Sequence, residues 1–421
     1  MSGAGVAAEL TRRWMLLSEE ADADRNPTGG DGYEWTAKAT KNNPILAAGQ
    51  QNWKGLLQAA TNGHTQLVKQ LLQQGATTES RDENGWTPLH VASLNGYTVL
   101  VKFLIQRGAM VQAASPASYT PLHYASWSGH THVAEFLLSR GAPAAATTKG
   151  GLTPLHVAAA NGHTLMAQLL LGQGCDPTNM DIHQWSALHW ATAGNQVHIM
   201  DLLISRGIDP DLGDGEGKIA PLHIAAEIGR TEALRFLLAK GADVDVQDGL
   251  GRTALSIASN NGHQEMVELL LRSQAAVNLA DHSGCAAIHK AATVGHLLTI
   301  SLLVEEGAAW VNGRDGLHLT PLHRAASQGH VDVASYLLDH GADVDAAGWL
   351  GKTPLHLAVE GSHLPVVELL LAKGADLTRR TWWKETAKEL ASESARSGGA
   401  CSQMFPRPPQ SYLTCASSTD S

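Results

Sequence analysis

Apolar residues recur along this chain in short blocks at helical spacing, never in one long run. Between Thr87 and Tyr119, Leu89 and Ala92 mark one inward face, and Asn95-Gly96 interrupts it. A second helix is predicted from about Thr98, with Leu100, Val101, Leu104 and Ile105 as its buried stripe. Gly108 closes that helix by supplying the positive φ of a C-terminal cap. The polar stretch from Ala109 to Tyr119 then predicts a hairpin-like finger reaching toward the next copy of the pattern. At the start of the block, Thr87 stands at the N-cap and Pro88 at the first helical position, where its missing N–H costs nothing.

The block repeats every 33 or 34 residues. Thr87-Pro88-Leu89-His90 returns intact at Thr120, Thr153, Thr320 and Thr353. It returns altered at Ser186-Ala187-Leu188-His189, Ala220-Pro221-Leu222-His223, Thr253-Ala254-Leu255-Ser256 and Ala286-Ala287-Ile288-His289. Two steps are 34 residues long, and their extra residues are expected around Gly215 to Lys218 and around Trp310. An earlier copy near Trp53 has lost Thr and Pro (Lys54-Gly55-Leu56-Leu57), as a terminal capping repeat permits. A partial copy begins at Thr386-Ala387. This residue set at this period resembles the ankyrin repeat family. The resemblance implies an all-α solenoid of about ten helix–turn–helix units joined by fingers, which binds partners through a concave face made of fingers and first helices.

The organisation expected is an N-terminal arm over residues 1–50, mostly disordered, the repeat array over 51–391, and a disordered tail over 392–421. Within the arm, Thr11 to Ala23 reads as a short helix and Ala23 to Gly32 as a loop. The arm's other reading is a cover over the first repeat. The closing glycine recurs at Gly75, Gly141, Gly174, Gly207, Gly241, Gly307, Gly341 and Gly374, while Gln274 replaces it once. With Ala254, Ser256 and Ala287 decaying nearby, the junction between the repeats anchored at 253 and 286 is the expected weak point.

A formal net charge of −10 argues against nucleic acid as a partner. No apolar run approaches the ~20 residues needed to cross a bilayer. Met1 to Leu10 does not read as a signal peptide. Cys175, Cys285, Cys401 and Cys415 are sparse, which fits a reducing compartment, cytoplasmic with nuclear residence open. A monomer is expected.

Of 21 histidines, eight occupy the fourth anchor position and seven follow the inter-helix turn. The family resemblance makes both sets structural. His130-Thr131-His132 has a metal-like spacing but no supporting Cys or carboxylate cluster. No nucleophile–base set and no phosphate-binding loop stands out, so the expectation is no catalytic residue, no cofactor, no metal and no enzymatic activity.

The aromatics carry the functional reading. Trp86, Tyr119, Trp185 and Trp349 stand just before an anchor or within its finger, Trp382 and Trp383 near the same place in the partial copy, and Trp127 at the end of a first helix. Trp and Tyr are frequent binding hot spots, so all seven are candidate partner contacts. The competing reading is packing against the neighbouring finger. Trp190, just after an anchor histidine, reads as core. Asn278 and Asn312 occupy the finger asparagine that, in the family, an asparaginyl hydroxylase can modify. Phe405-Pro406-Arg407-Pro408-Pro409 could serve as a polyproline II ligand for an SH3 or WW domain. The function expected is a scaffold or adaptor for protein–protein interaction. Its alternative is substrate recognition for a modifying enzyme, such as a ubiquitin ligase, recruited through the tails.

Overall fold

The computed structural model describes residues 48–396, apart from Glu83 and Glu216. Ten helix pairs follow one another: Ala48–Thr61 with Thr65–Gln73, Pro88–Leu94 with Thr98–Gln106, Pro121–Ser128 with Thr131–Ser139, Pro154–Asn161 with Thr164–Gly172, Ala187–Ala193 with Val197–Ser205, Pro221–Ile228 with Thr231–Ala239, Ala254–Asn261 with Gln264–Arg272, Ala287–Val294 with Leu297–Glu305, Pro321–Gln328 with Val331–Asp339, and Pro354–Glu360 with Leu364–Ala372. Ala387–Arg396 is a single helix. The fingers between pairs form no strand among the described residues; one isolated bridge joins Arg380 and Thr386. The chain divides into two compact units between Asp243 and Val244, each an all-α repeat solenoid.

The anchor tetrapeptide explains why each first helix starts where it does. In all eight copies with histidine, the backbone N–H of the first anchor residue donates to the imidazole Nδ1 at 3.0–3.2 Å. A backbone N–H can only donate, so Nδ1 must be an unprotonated acceptor, and in the neutral ring Nε2 carries the proton. The hydroxyl of Thr or Ser at the anchor then donates to the same Nδ1, as at Thr87 and His90, 2.9 Å apart. This corrects the simple N-cap expectation. Where histidine follows, the threonine hydroxyl is spent mainly on the imidazole, with an added bond from the N3 backbone at Thr153. At Thr253 and Thr386, where Ser256 and Glu389 replace the histidine, it accepts from that backbone N–H.

The other ring nitrogen ties the repeat to the finger that follows. Nε2–H of His90 donates to the carbonyls of Ala113 and Tyr119, and that of His123 to Leu152 at 3.0 Å. His156, His189, His289 and His323 reach Asn179, Ile219, Gly313 and Lys352 in the same way. Ser256 keeps the local bonds to Thr253 but is too short to make the tie. The second histidine set joins neighbours at the inter-helix turn: His163, His296, His330 and His363 bond the carbonyls of Trp127, Asn260, Thr293 and Ser327. The left-handed Gly129 lies so close beneath His163 that a Cβ would approach the ring to 2.4 Å. Both sets are therefore structural.

Apolar burial supplies the cohesion. Leu100, Val101 and Leu104 of one second helix are fully buried, each worth about 1.5–3 kcal/mol, while Ile105 is only half-buried. Ala92, Ala125, Ala158, Ala191 and Ala225 are buried on the first helices, and their small side chains let neighbouring helices approach closely.

Three expectations shift. The last helix starts at Ala387, where Thr386 and Glu389 form a reciprocal capping box, and it runs on through Ser392 to Arg396. One extra residue sits at Gly215 to Lys218 as expected, where Asp214 N–H bonds Ile219 across an enlarged finger turn. The other falls slightly before Trp310, in the turn from Glu306 to Ala308 that closes the nine-residue helix Leu297–Glu305. The closing bond there runs from Ala309 N–H to Leu303, one residue further back than the bond from Ala109 to Leu104. The left-handed residue there is Ala308 (φ 51°), and Gly307 serves close approach, since a Cβ on it would meet the Leu303 carbonyl at 2.8 Å. Gln274 does keep φ positive, at 63°. Yet the repeats on either side of it share the second unit, packed through buried Ala254, Ala258, Ala287 and Ala291. The division of the chain falls one repeat earlier than the expected weak junction. The arm before Ala48, Cys401, Cys415 and Phe405 to Pro409 lie outside the described residues.

Two outcomes are expected. Burial pushes His90, His123, His189 and His323 down to about 4. Unfolded imidazoles take up a proton below about 6.5, so across that interval the unfolded chain binds more protons and stability falls as pH falls from 6.5 to 4. Each ring contributes on the order of a few kcal/mol. Thermal unfolding followed by circular dichroism at stepped pH measures this, and a flat profile over the interval is incompatible with buried neutral rings. Separately, Gln274→Gly relieves a left-handed side chain and should raise stability by about 1 kcal/mol, read as a higher urea midpoint.

Candidate docking surface

In several repeats the residue before the anchor is held by a carboxylate four positions upstream of it, as Trp86 is by Asp82, while Ser115 and Thr148 offer a hydroxyl instead. Asp181 Oδ1 accepts the backbone N–H groups of His183 and Trp185, at 2.8 and 2.9 Å, which folds the finger tip into a tight turn. Its Oδ2 accepts the indole N–H of Trp190 at 3.1 Å. One buried carboxylate thus fixes the finger, the residue before the anchor, and a side chain on the first helix.

In the first unit this frame is filled by aromatic and aliphatic groups. The Trp86 and Tyr124 rings are 4.5 Å apart, Tyr119 lies 5.6 Å from Tyr124, and Leu57, Val91 and Leu94 complete the cluster. Trp185 and Trp190 meet edge to face at 4.9 Å, with Leu152, Val157, Ala160, Ala193 and Ile224 around them. Tyr119, Trp127, Ile219 and Ile228 pack on that second cluster and remain half-buried.

The seven candidate aromatics therefore separate. Trp185 is fully buried and Trp86 is 6% exposed, so their rings belong to internal packing and are withdrawn as surface contacts. Tyr119 and Trp127 rest on the clusters with part of each ring open. Trp349, Trp382 and Trp383 lie on the fingers of the second unit with 51, 74 and 60% of their surface exposed. Trp190 is buried, as read from its position. Sequence reasoning passed over Tyr124, Leu94, Ile219 and Ile228. Tyr124 and Ile224 follow their anchor histidines as Trp190 does, and that register was the available signal.

In the second unit the same positions carry ion pairs. Arg252 meets Asp248 at 2.7 Å, Lys290 meets Asp281 at 2.7 Å, Arg324 meets Asp315 at 2.5 Å, and Lys352 meets Glu360 at 2.6 Å. Burial opposes ionisation of Asp281 and Asp315. Hydrogen bonds from Lys290 and Ser283 to the first, and from Leu319 N–H and Arg324 to the second, outweigh it and hold both below the usual carboxylate range.

Asn278 and Asn312 each bridge to the following finger. Asn278 accepts from Trp310 N–H and donates to the Ala308 carbonyl; Asn312 accepts from Asp343 N–H and donates to Gly341 at 2.8 Å. Among the described residues no group of three or more His, Cys, Asp or Glu is arranged to hold a metal. His132 faces Glu135 at 3.3 Å on an exposed helix surface. No helix among them is long and apolar enough to cross a membrane.

The profile described as Ankyrin repeats (3 copies) matches residues 56–148, 143–214, 222–315 and 309–381. The chain belongs to the ankyrin repeat family, whose members are generally interaction modules without catalysis. No curated protein matches it.

The division between buried and half-open rings has a measurable consequence. Trp185→Ala should cost about 3–5 kcal/mol and Trp127→Ala under about 2 kcal/mol, compared by urea denaturation of the full-length protein. Equal costs would contradict the assignment.

Proposed function

We propose that the protein is a binding scaffold whose principal docking surface is the apolar finger and first-helix face of the first unit. The observation that carries this reading is the set of half-open groups, Tyr119, Trp127, Leu94, Ile219 and Ile228, seated on two buried aromatic clusters. Rings held in this way lose little freedom on binding, and Trp and Tyr in such settings are the usual anchors of an interface. The corresponding face of the second unit neutralises its own charges, so it favours contacts by shape and offers no strong field to a partner. The partner is a protein presenting apolar side chains, and nucleic acid does not suit a chain of net charge −10.

The adaptor reading, in which the tails recruit a modifying enzyme such as a ubiquitin ligase, uses segments outside the described residues and is the second choice. Hydroxylation of Asn278 and Asn312 remains a proposal. Because both amides are engaged, it requires those fingers to open first. Residence in a reducing compartment, cytoplasmic or nuclear, and a monomeric state complete the reading. A likeness of Arg13-Trp14-Met15 and of Val344 to Leu350 to a vertebrate ankyrin-repeat protein adds no activity.

Proximity labelling with the full-length protein and a Tyr119→Ala/Trp127→Ala variant tests the proposal. Partners of the first-unit face should be lost or bound at least about tenfold more weakly, as the loss of hot spots worth 1–2 kcal/mol implies. If every partner survives the double variant at unchanged affinity, this face is not the docking surface.

A further inference from the structure

The exposed indoles of the second unit are not absorbed by the proposed docking surface. Fingers within each unit are stitched to the next by a backbone bond. Lys149 N–H reaches Ala117, Ile182 reaches Gly150, His282 reaches Leu250, Gly316 reaches Ser283, and Trp382 reaches Leu350 at 2.9 Å. The finger bearing Trp382 and Trp383 is the last of the series, and no described finger follows it. The outer side of a terminal repeat is expected to be polar, because it meets water where other repeats meet a neighbour. Here it is not. Trp382 and Trp383 stand 74 and 60% exposed, with Trp349 at 51% on the finger before them and Leu377 at 40% nearby. The Trp382 ring lies across Gly351, where a Cβ would approach its Cδ1 to 2.8 Å, so it is held as a platform against the preceding finger.

The chain continues beyond Arg396 and carries Phe405-Pro406-Arg407-Pro408-Pro409. We propose that this segment folds back and covers the Trp349, Trp382 and Trp383 platform of its own molecule. The chemistry matches, since proline-rich segments in the polyproline II conformation dock on aromatic-lined surfaces with little ordering cost, and Arg407 can lie over an indole face. The tether decides the occupant. From Arg396 the route back along the ten-residue helix Ala387–Arg396 is about 15 Å. The finger from Thr386 up to Trp382 adds at most about 13 Å. Nine fully extended residues span roughly 30 Å, so along this route Phe405 is the first aromatic residue after the helix within reach of the platform, and the prolines follow it. Being on the same chain, the segment meets the platform without the translational cost that a separate molecule bears.

The test places a nitroxide on Cys401, with Cys415→Ser, in the full-length protein; Cys175 and Cys285 are buried and protected from labelling. Indole N–H signals are assigned by Trp349→Phe, Trp382→Phe and Trp383→Phe. Those three signals should be lost to paramagnetic broadening, while those of Trp86 and Trp185 persist. The broadening should vanish in a Phe405→Ala/Pro406→Ala/Pro408→Ala/Pro409→Ala variant, whose changes lie outside the repeats. Persistence of all three signals in the labelled wild type overturns the proposal. So does broadening that survives the quadruple variant. Broadening seen only when isotope-labelled and spin-labelled molecules are mixed assigns the platform to a second copy of the chain and overturns the intramolecular contact.

Discussion

The structure depends on an imidazole that bonds in two directions at once. Its Nδ1 takes the backbone N–H at the head of its own first helix, and its Nε2–H reaches a carbonyl in the next finger. The first bond sets where a helix begins, and the second sets how far away the next repeat lies. Both require the neutral ring in one tautomer, and burial enforces that state. Pairwise ties of this kind let a chain grow by repetition without a deepening core. They also explain why altered copies of the tetrapeptide, four in all, are tolerated. Ala220 and Ala286 lose a hydroxyl but still offer the backbone N–H that the ring needs. Ser256 preserves the helix start and gives up the inter-repeat tie, which alanine packing on either side then has to supply.

On this frame the two units use equivalent positions differently. In the first, Asp181 at the finger base holds the Trp190 indole N–H, and the surroundings are apolar. In the second, the same carboxylate position holds a lysine or arginine. Exchanging an indole for a cation leaves the local bond geometry intact and changes the surface from one that gains by shedding water to one already satisfied. The repeat frame therefore accommodates either filling at these positions without any change of fold.

The helix pairs, their spacing and the structural role of the histidines were legible because they rest on contacts within a repeat or between adjacent ones, and a 33-residue period records both. The aromatic surface was legible only in part. Trp185 and Tyr119 occupy the same position before an anchor, yet one is fully buried and the other half-open. The difference lies in what the neighbouring repeats place beside them. Trp190 closes over Trp185 at 4.9 Å, whereas Tyr119 rests on the edge of a cluster whose interior is already filled by Trp86 and Tyr124. The small shift of the insertion has a similar origin. Gly307 satisfied the spacing of the closing glycine, but the backbone turns left-handed one residue later, at Ala308, because the extra residue is taken up in the turn after Glu305.

By itself the sequence determined the class of fold, the unit of repetition and the capping chemistry, because these follow from short-range periodicity, from proline and glycine at particular backbone angles, and from one histidine per repeat. Only the tertiary structure decided which rings are core and which are open, where the inserted residue is absorbed, and where the chain divides. Those outcomes depend on side chains that meet across repeats, and whether a ring ends up covered is a property of its neighbours' volumes and not of its own position in the repeat.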